Sequence, residues 1–553
     1  MDKNLFEELK NLIKGEVAED EQTLQNFSHD ASIFEVNPRV VVFPKDAEDV
    51  QNVIKFINNH KKENPTLSVT GRSAGTDMGG GPLNESIILS FTQHFNQILG
   101  LVGNVATTQP GVYYRDFEKF TLQSGLIFPS YPASRELCAM GGIVNNNSGG
   151  EKSFEYGKTE NFVKKLRMVL SDGNIYEFKP LNEKELTEKL LLKSFEGEIY
   201  RKIHTLITKN YDEIKAAKPI VSKNSAGYFL WNVYDKETNV FDLTKLFVGA
   251  QGTLGIMLDA GIELMPVKKH SEMLVIFMGQ KDMDNLGPII NTILPTKPES
   301  VETYDDNTLK LAIKFFPEFA RKMGAANIIS TAFHFIPEFF MALTGGIPKL
   351  IIQVEFTGNN LDDLKDKINS LKNSLKPYKL KMRIAGNEKQ SKKYWLIRRE
   401  SFSLLREKIK DKHTAPFIDD FVVRPEKLPE FLPKLNKILE KYPSLIYTIA
   451  GHIGDGNFHI IPLMDIADEK QREIIPVLGK EVYDLVFEYH GSTTGEHNDG
   501  LVRSPYLKKM YGEKIYELFE KTKEIFDPLN IFNPRKKIYS SMDYSMKHIR
   551  TRW

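Results

Sequence analysis

Two stretches near the C-terminal end of this 553-residue chain hold side chains whose types and spacing suit metal and proton chemistry. The first reads Ala450-Gly-His452-Ile-Gly-Asp455-Gly-Asn457-Phe-His459 and follows an apolar strand ending at Ile449; the second reads Thr494-Gly-Glu496-His497-Asn498-Asp499-Gly500. Two histidines separated by a turn-prone Gly-Asp-Gly-Asn can converge, and a distant glutamate such as Glu496 could complete a set of three ligands. Two imidazoles and a carboxylate, with positions left open for substrate, suit Zn²⁺, Mn²⁺ or Fe²⁺. A lone histidine is more often structural. His-x6-His together with Glu-His, in a chain with 12 histidines, is a stronger pattern. A helix around Tyr394-Trp395 sets Arg398 and Arg399 side by side among aromatics. Guanidinium groups capture carboxylates bidentately, although a solvated charged face explains the pair equally well.

The elements that must position these groups begin with a strand, Leu67–Thr70, running into Thr70–Gly81, TGRSAGTDMGGG. Five glycines in twelve residues allow backbone N–H groups to converge on one point and to approach a diphosphate closely. The loop lacks the Gly-Lys-Ser/Thr ending of a P-loop and is not GxGxxG. The segment Phe128–Gly150 is dominated by small residues, glycines and amides and reads as irregular. Gly249–Ile256 is a third such unit, placed between expected strands at Leu246–Val248 and Ile262–Met265. Three Gly-rich turns in one α+β region point to a single large ligand gripped from several sides.

Between these units the chain has ordinary periodicity. Leu5, Phe6, Leu9, Leu12 and Ile13 mark an amphipathic N-terminal helix. Val40–Phe43 is a strand, and Asp46 caps a helix whose buried face carries Val50, Val53, Ile54 and Ile57. Strands follow at Ser86–Phe91 and Val105–Gln109, then a helix over Tyr113–Ser124. From about Lys268 a second sheet opens, with strands at Met273–Gly279 and Leu350–Phe356 and an aromatic-rich Leu309–Gly346 between them. Lys+Arg 74 against Asp+Glu 73 gives a net charge of +1, which argues against a nucleic-acid partner. One cysteine, Cys138, excludes an intramolecular disulfide and argues against iron–sulfur sites. No secretory h-region and no apolar run of about 20 residues is present. The expected location is cytoplasmic. The aromatic stretch Phe315–Phe340 and the basic tail Lys547–Arg552 would permit peripheral contact with the inner face of the membrane.

The order strand, TGRSAGTDMGGG, QPGV, FPSYPAS, MGGIVNNNSGG, YGKTEN and GAQGTLGI resembles the FAD-binding domain of the vanillyl-alcohol-oxidase superfamily over roughly Asn37–Val267. HIGDGNFH, GEH and FDPLNIFNPRK extend the resemblance to FAD-linked D-2-hydroxy-acid dehydrogenases, including D-lactate dehydrogenase, the glycolate oxidase flavin subunit and D-2-hydroxyglutarate dehydrogenase. The resemblance implies an α+β fold with a two-subdomain FAD-binding domain over 37–267. An N-terminal helical segment, 1–36, precedes it, and an α+β cap domain with an antiparallel sheet covers 268–495. Residues 496–553 would return to the FAD domain. FAD, held non-covalently, would lie against Arg72, Ser73, Ala74, Gly75, Thr76 and Gly79. Its flavin would run along Pro132, Ser134, Gly141, Gly142, Asn145, Ser148 and Gly149, with Gly252, Thr253, Ile256 and Asn533 completing the pocket. By the same resemblance His452, His459 and Glu496 hold a divalent metal, His497 is the base, and Asn457 orients the substrate or the site. Arg399, ahead of Arg398, takes the substrate carboxylate.

Two departures stand out: Gln251 where relatives often carry Glu, and Asn498-Asp499 where relatives usually have Gly after Glu-His. Dicarboxylate-specific relatives place a Lys shortly before the strand read here as Ile418–Phe421, and none stands in register. The implied reaction is oxidation of a small D-2-hydroxy acid, with D-lactate to pyruvate as the best substrate. Metal-assisted proton abstraction would accompany hydride transfer to flavin, and electrons would pass to a quinone, an electron-transferring flavoprotein or a cytochrome. A homodimer is compatible with this reading. The alternatives are a D-2-hydroxyglutarate or glycolate dehydrogenase, a metal-dependent hydrolase using the His/Glu site alone, and a flavin-binding electron-transfer subunit without its own substrate chemistry.

Overall fold

A computed structural model describes residues 3–314, 346–385, 390–399 and 412–552. Three sheets organise these residues. The first has four strands in the order Glu16–Ala18, Val40–Phe43, Ile87–Ser90, Val69–Arg72, of which the last three run parallel. Parallel neighbours need a crossover, and the helix Ala47–His60 supplies one. Asp46 caps it by accepting from the N–H groups of Glu48 and Asp49. Its apolar face, Val50, Val53, Ile54 and Ile57, is buried with Phe6 and Leu9 of the helix Lys3–Leu12. The glycine loop leaves this sheet where Val69–Arg72 ends.

The second sheet is antiparallel, in the order Ile98–Val102, Val105–Thr108, Ile256–Glu263, Val163–Val169, Ile175–Phe178. The third is the eight-stranded antiparallel sheet of the second half. It runs Lys381–Ala385, His270–Met278, Leu350–Gly358, Ser300–Asp305, Ile446–His452, Asn457–Met464, His413–Thr414, with Phe421–Val422 also paired to Asn457–Met464. The α+β organisation expected from the sequence is therefore the one found. The chain then returns to the first sheet, where Phe532 bridges Val69.

Four local expectations need correction. Leu246–Val248 is not a strand: Asp242 accepts from the N–H and hydroxyl of Thr244 and fixes the turn that leads into the short helix Thr244–Phe247. The following strand is Ile256–Glu263, longer and earlier than Ile262–Met265. Phe128–Gly150 is not wholly irregular, because Met140, Ile143 and Val144 bury one face of the helix Met140–Asn146. That helix closes on Asn147 in the left-handed region. Ile418–Phe421 is not one strand either. Asp420 takes φ 70° between the turn Pro416–Ile418 and the strand Phe421–Val422, which turns both acids inward. The aromatic stretch Phe315–Phe340 lies outside the described residues.

Candidate active site

One cavity of about 780 Å³ runs from the glycine loops to the histidines. That volume is in the range of cofactor and ligand sites. Of the residues expected along a cofactor, Arg72–Thr76, Pro132, Ser134, Gly141, Gly142, Asn145, Ser148, Gly149, Gly252 and Ile256 line it. The glycines leave room. A Cβ at Gly142 would meet nothing within 4 Å, and one at Gly252 only the Gly255 carbonyl at 4.0 Å, so a side chain at either place would stand in ligand space.

Three expected residues do not line the cavity, for separate reasons. Gly79 offers its carbonyl to the N–H of Leu501 at 2.7 Å. Thr253 is fully buried against the Tyr228 hydroxyl. Asn533 ties the loops together: its amide donates to the carbonyls of Gly81 (2.9 Å) and Gln251 (2.6 Å), and its Oδ1 accepts from the Thr70 hydroxyl (2.8 Å). The Arg72 guanidinium donates to the carbonyls of Phe27 and His29, which fixes the loop's outer wall.

Strand register explains how the metal-type side chains meet. His452 lies opposite Asn457, and His459 lies opposite Ala450, so both imidazoles project from one face as diagonal neighbours. Thr303 pairs with Gly451 on the other side, which brings Glu302 alongside His452, where its Oε1 meets Nδ1 at 2.5 Å. His459 Nδ1 meets Asp419 Oδ1 at 2.9 Å. Glu496 arrives from a separate segment held by Asp420, whose carboxylate accepts from the backbone N–H groups of Glu496 (2.9 Å) and His497 (2.7 Å). Ligand atoms of His452, His459 and Glu496 all lie within 4.8 Å of one another. A carboxylate on Nδ1 of each imidazole leaves Nε2 with its lone pair, the form that binds metals.

Charge points the same way. Glu302, Asp419, Asp420, Asp455 and Glu496 are buried around the histidines. Lys223 and Arg398 pair directly with them, and Arg503 and Lys158 act on them at longer range. In the metal-free protein the remaining balance falls to the imidazoles themselves, and a divalent cation held by His452, His459 and Glu496 would take that place. Burial opposes charge on His452, but Glu302 and Glu496 outweigh it and raise the imidazole to about 9. Burial likewise opposes charge on His497, and Asp420 and Asp419 raise it to about 9. Asp419 Oδ2 and His497 Nδ1 are 2.7 Å apart yet off-angle for a hydrogen bond, so both lack a hydrogen-bond partner. The residues present fit a divalent metal as well as a flavin.

The two arginines both line the cavity, in different company. Arg398 donates through Nε to Glu302 (3.0 Å), the carboxylate that also holds His452. Arg399 stacks over Trp395 and binds Glu151 through Nε (3.1 Å) and Nη2. Asn457 does not reach the cavity: its fully buried amide donates to Asp420 Oδ1 and to the carbonyls of Asp420 and Phe421.

Several site residues escaped sequence reasoning. Lys223, 1% exposed, joins Glu496 Oε1 (2.7 Å), Asp455 Oδ2 (2.9 Å) and the Gly150 carbonyl (3.3 Å). Nothing in its polar surroundings, Val221-Ser-Lys-Asn, signals this. Asp419 and Asp420 did carry a signal, two acids inside the apolar run Pro416–Val423, where an uncompensated charge would be costly. Both departures from the relatives find a physical reason. Asn498 occupies the left-handed region (φ 66°) that a glycine would, and its amide donates to the carbonyls of Asn146 and Gly249. Gln251 accepts from the Gly500 N–H and donates to Asn146 Oδ1, and a carboxylate could not make the second bond.

A parallel-sheet and an antiparallel-sheet subdomain joined by glycine loops, with a histidine-bearing antiparallel sheet closing over them, define a flavoprotein oxidoreductase of the vanillyl-alcohol-oxidase type. The chain belongs to the FAD-linked oxidases: it matches the FAD binding domain over residues 38–179 and the "FAD linked oxidases, C-terminal domain" over residues 269–537. It is 27% identical over 540 residues to a D-2-hydroxyglutarate dehydrogenase of Pseudomonas putida. That match takes in 96% of this chain but 51% of the relative, so the chain spans about half that protein's length. It is 25% identical to the glycolate oxidase subunit GlcD of Bacillus subtilis, over 92% of this chain and 91% of that one. Against a D-lactate dehydrogenase of Anaerostipes hadrus it is 25% identical, over 97% of each. Among solved structures, 4-ethylphenol oxidase from Gulosibacter chungangensis shares the fold at a TM-score of 0.68, with 16% identity over 98% of both chains.

Proposed function

We propose that the protein oxidises a small D-2-hydroxy acid to the 2-oxo acid, with D-lactate as its best substrate. The observation that carries this reading is that the His452–His459–Glu496 cluster, His497 and a guanidinium open on the cavity that the glycine loops line. Bound FAD supplies the hydride acceptor, and a bound divalent cation supplies the positive charge that the buried carboxylates call for and that favours ionisation of an α-hydroxyl.

The chain's own residues do the rest. Arg398, rather than Arg399, is the partner for the substrate carboxylate, because it shares Glu302 with His452 and so stands beside the cluster. With a divalent cation bound, whose charge would oppose protonation of the adjacent imidazole, His497, set against Asp419, takes the hydroxyl proton as Cα–H is directed at the flavin wall. General-base assistance of this kind contributes about 10²–10⁴-fold. Asn457 acts behind the site by holding Asp420. The electrons leave through a separate acceptor. Support for the substrate class comes from the relatives' names together with this geometry.

The test is a pair of variants, His497→Ala and His459→Ala. Both are expected to keep their flavin while turnover with D-lactate falls at least about 10²-fold. Loss of flavin from both would show that these histidines are structural.

A further inference from the structure

Arg399 is a second guanidinium on the cavity wall, one residue along the helix from Arg398, and the reaction as read has no use for it. A second guanidinium beside a carboxylate-binding one is what a dicarboxylic substrate would need. Here it is already occupied. Glu151 grips it along the Nε–Nη2 edge, the planar fork-to-fork arrangement that satisfies both partners. Glu151 is itself anchored by the Tyr131 hydroxyl at 3.0 Å, and Trp395 fixes the guanidinium from below. The pair crosses between the two halves of the chain, since Glu151 directly follows Gly149-Gly150 on the cofactor wall.

We propose that Glu151 is a specificity determinant: by occupying Arg399 it reserves the pocket for hydroxy acids that carry one carboxylate. This rests on the proposed oxidation of 2-hydroxy acids. A distal carboxylate entering toward Arg399 would find its charge cancelled and Glu151 close by. Arg398 is no substitute, because Glu302 and the α-carboxylate claim it. Selectivity of this type is built from a repulsive element set against the wrong ligand as much as from attraction to the right one.

The experiment compares wild-type holoenzyme, Glu151→Gln and Glu151→Asp, with D-lactate and D-2-hydroxyglutarate as substrates. Glu151→Gln keeps the shape and frees the cation. Its kcat/KM ratio for D-2-hydroxyglutarate over D-lactate is expected to rise about tenfold or more, mostly through KM. Glu151→Asp is expected to stay near the wild-type ratio. A ratio that stays within about twofold in a folded Glu151→Gln protein that still oxidises D-lactate overturns the proposal. Should Glu151→Gln not fold, Tyr131→Phe, which removes one of the bonds holding Glu151, is expected to shift the ratio in the same direction by a smaller factor. An unchanged ratio there overturns the proposal too. If wild-type flavin is reduced by no 2-hydroxy acid, the reaction assignment is what fails. Binding of pyruvate and 2-oxoglutarate, read from flavin absorbance, then decides on Glu151: 2-oxoglutarate tightening in Glu151→Gln supports it, and parallel behaviour of the two acids sinks it.

Discussion

Replacing Lys223 by methionine would remove a buried cation while keeping the length of its stem. The ammonium meets Glu496 at 2.7 Å and Asp455 at 2.9 Å, at 1% exposure, so buried Asp455 would lose its cation and Glu496, on the cavity wall, would keep only the His452 imidazole at 3.3 Å. Burial alone would depress the lysine; Asp455 and Glu496 overcome this and hold it well above its ordinary value, so it is charged throughout the working range. Removing one side of a buried ion pair costs about 3–5 kcal/mol, because the remaining charge is stranded. We expect metal-free Lys223→Met to lose about that much unfolding free energy. The loss should shrink when Mn²⁺ or Zn²⁺ is added, because a divalent cation between His452, His459 and Glu496 offsets the same excess of carboxylate. Chemical denaturation followed by tryptophan fluorescence, with and without the metal, measures both quantities. Lys223→Arg should retain most of the stability. The reasoning fails if Lys223→Met unfolds within about 1 kcal/mol of wild type in both conditions, since the carboxylates would then not depend on Lys223.

Three further outcomes follow from the same geometry. Asn533→Ala removes bonds to Thr70, Gly81 and Gln251 and leaves buried partners unpaired, so it should weaken FAD binding by about 1–3 kcal/mol in a flavin-fluorescence titration although Asn533 does not line the cavity. Treatment with a chelator should abolish turnover while the flavin spectrum persists, and a divalent cation should restore it; turnover that survives complete metal removal would leave the His452–His459–Glu496 cluster without its metal role. Burial, with Glu299 and Glu151 nearby, pushes the half-buried Glu355 up to about 7 from an ordinary 4.5. The folded state then holds that proton more tightly than the unfolded chain, so its contribution is fully present below about 4.5 and is lost as pH rises through about 7. Glu355→Gln should accordingly gain stability relative to wild type between pH 5 and pH 8, read as the difference in melting temperature across that range.

Much of this site was legible because its parts are local in sequence. His452 and His459 flank a turn that makes a hairpin, and hairpin register places residues two apart on one face, so their convergence follows from spacing. The glycine loops were legible for the same reason. The first leaves the strand Val69–Arg72 and the third runs into the strand Ile256–Glu263, and lack of side chains is itself a sequence property. What could not be read was the set of long-range partners. Lys223 reaches Glu496 across 273 residues, and Asn533 reaches Gly81 across 452, and neither spacing is a motif. The ranking of Arg399 over Arg398 rested on the Trp-x-x-x-Arg-Glu setting, and no sequence spacing could show that Glu302, the cross-strand neighbour of His452, holds Arg398 beside the histidines. The basic tail offers a similar lesson. Ile549 is buried and bridged to Phe34, and Arg550 lines the cavity, so its end packs against the N-terminal segment.

The central claim is that one cavity joins a flavin to a hydroxy-acid site. Anaerobic addition of D-lactate to the metal-loaded flavoprotein, followed by its visible spectrum, tests this most directly. Loss of the oxidised-flavin absorbance on adding D-lactate, and its persistence with L-lactate, is the predicted result. A flavin that stays oxidised with D-lactate and every other D-2-hydroxy acid would contradict the account and leave the histidine cluster without a substrate.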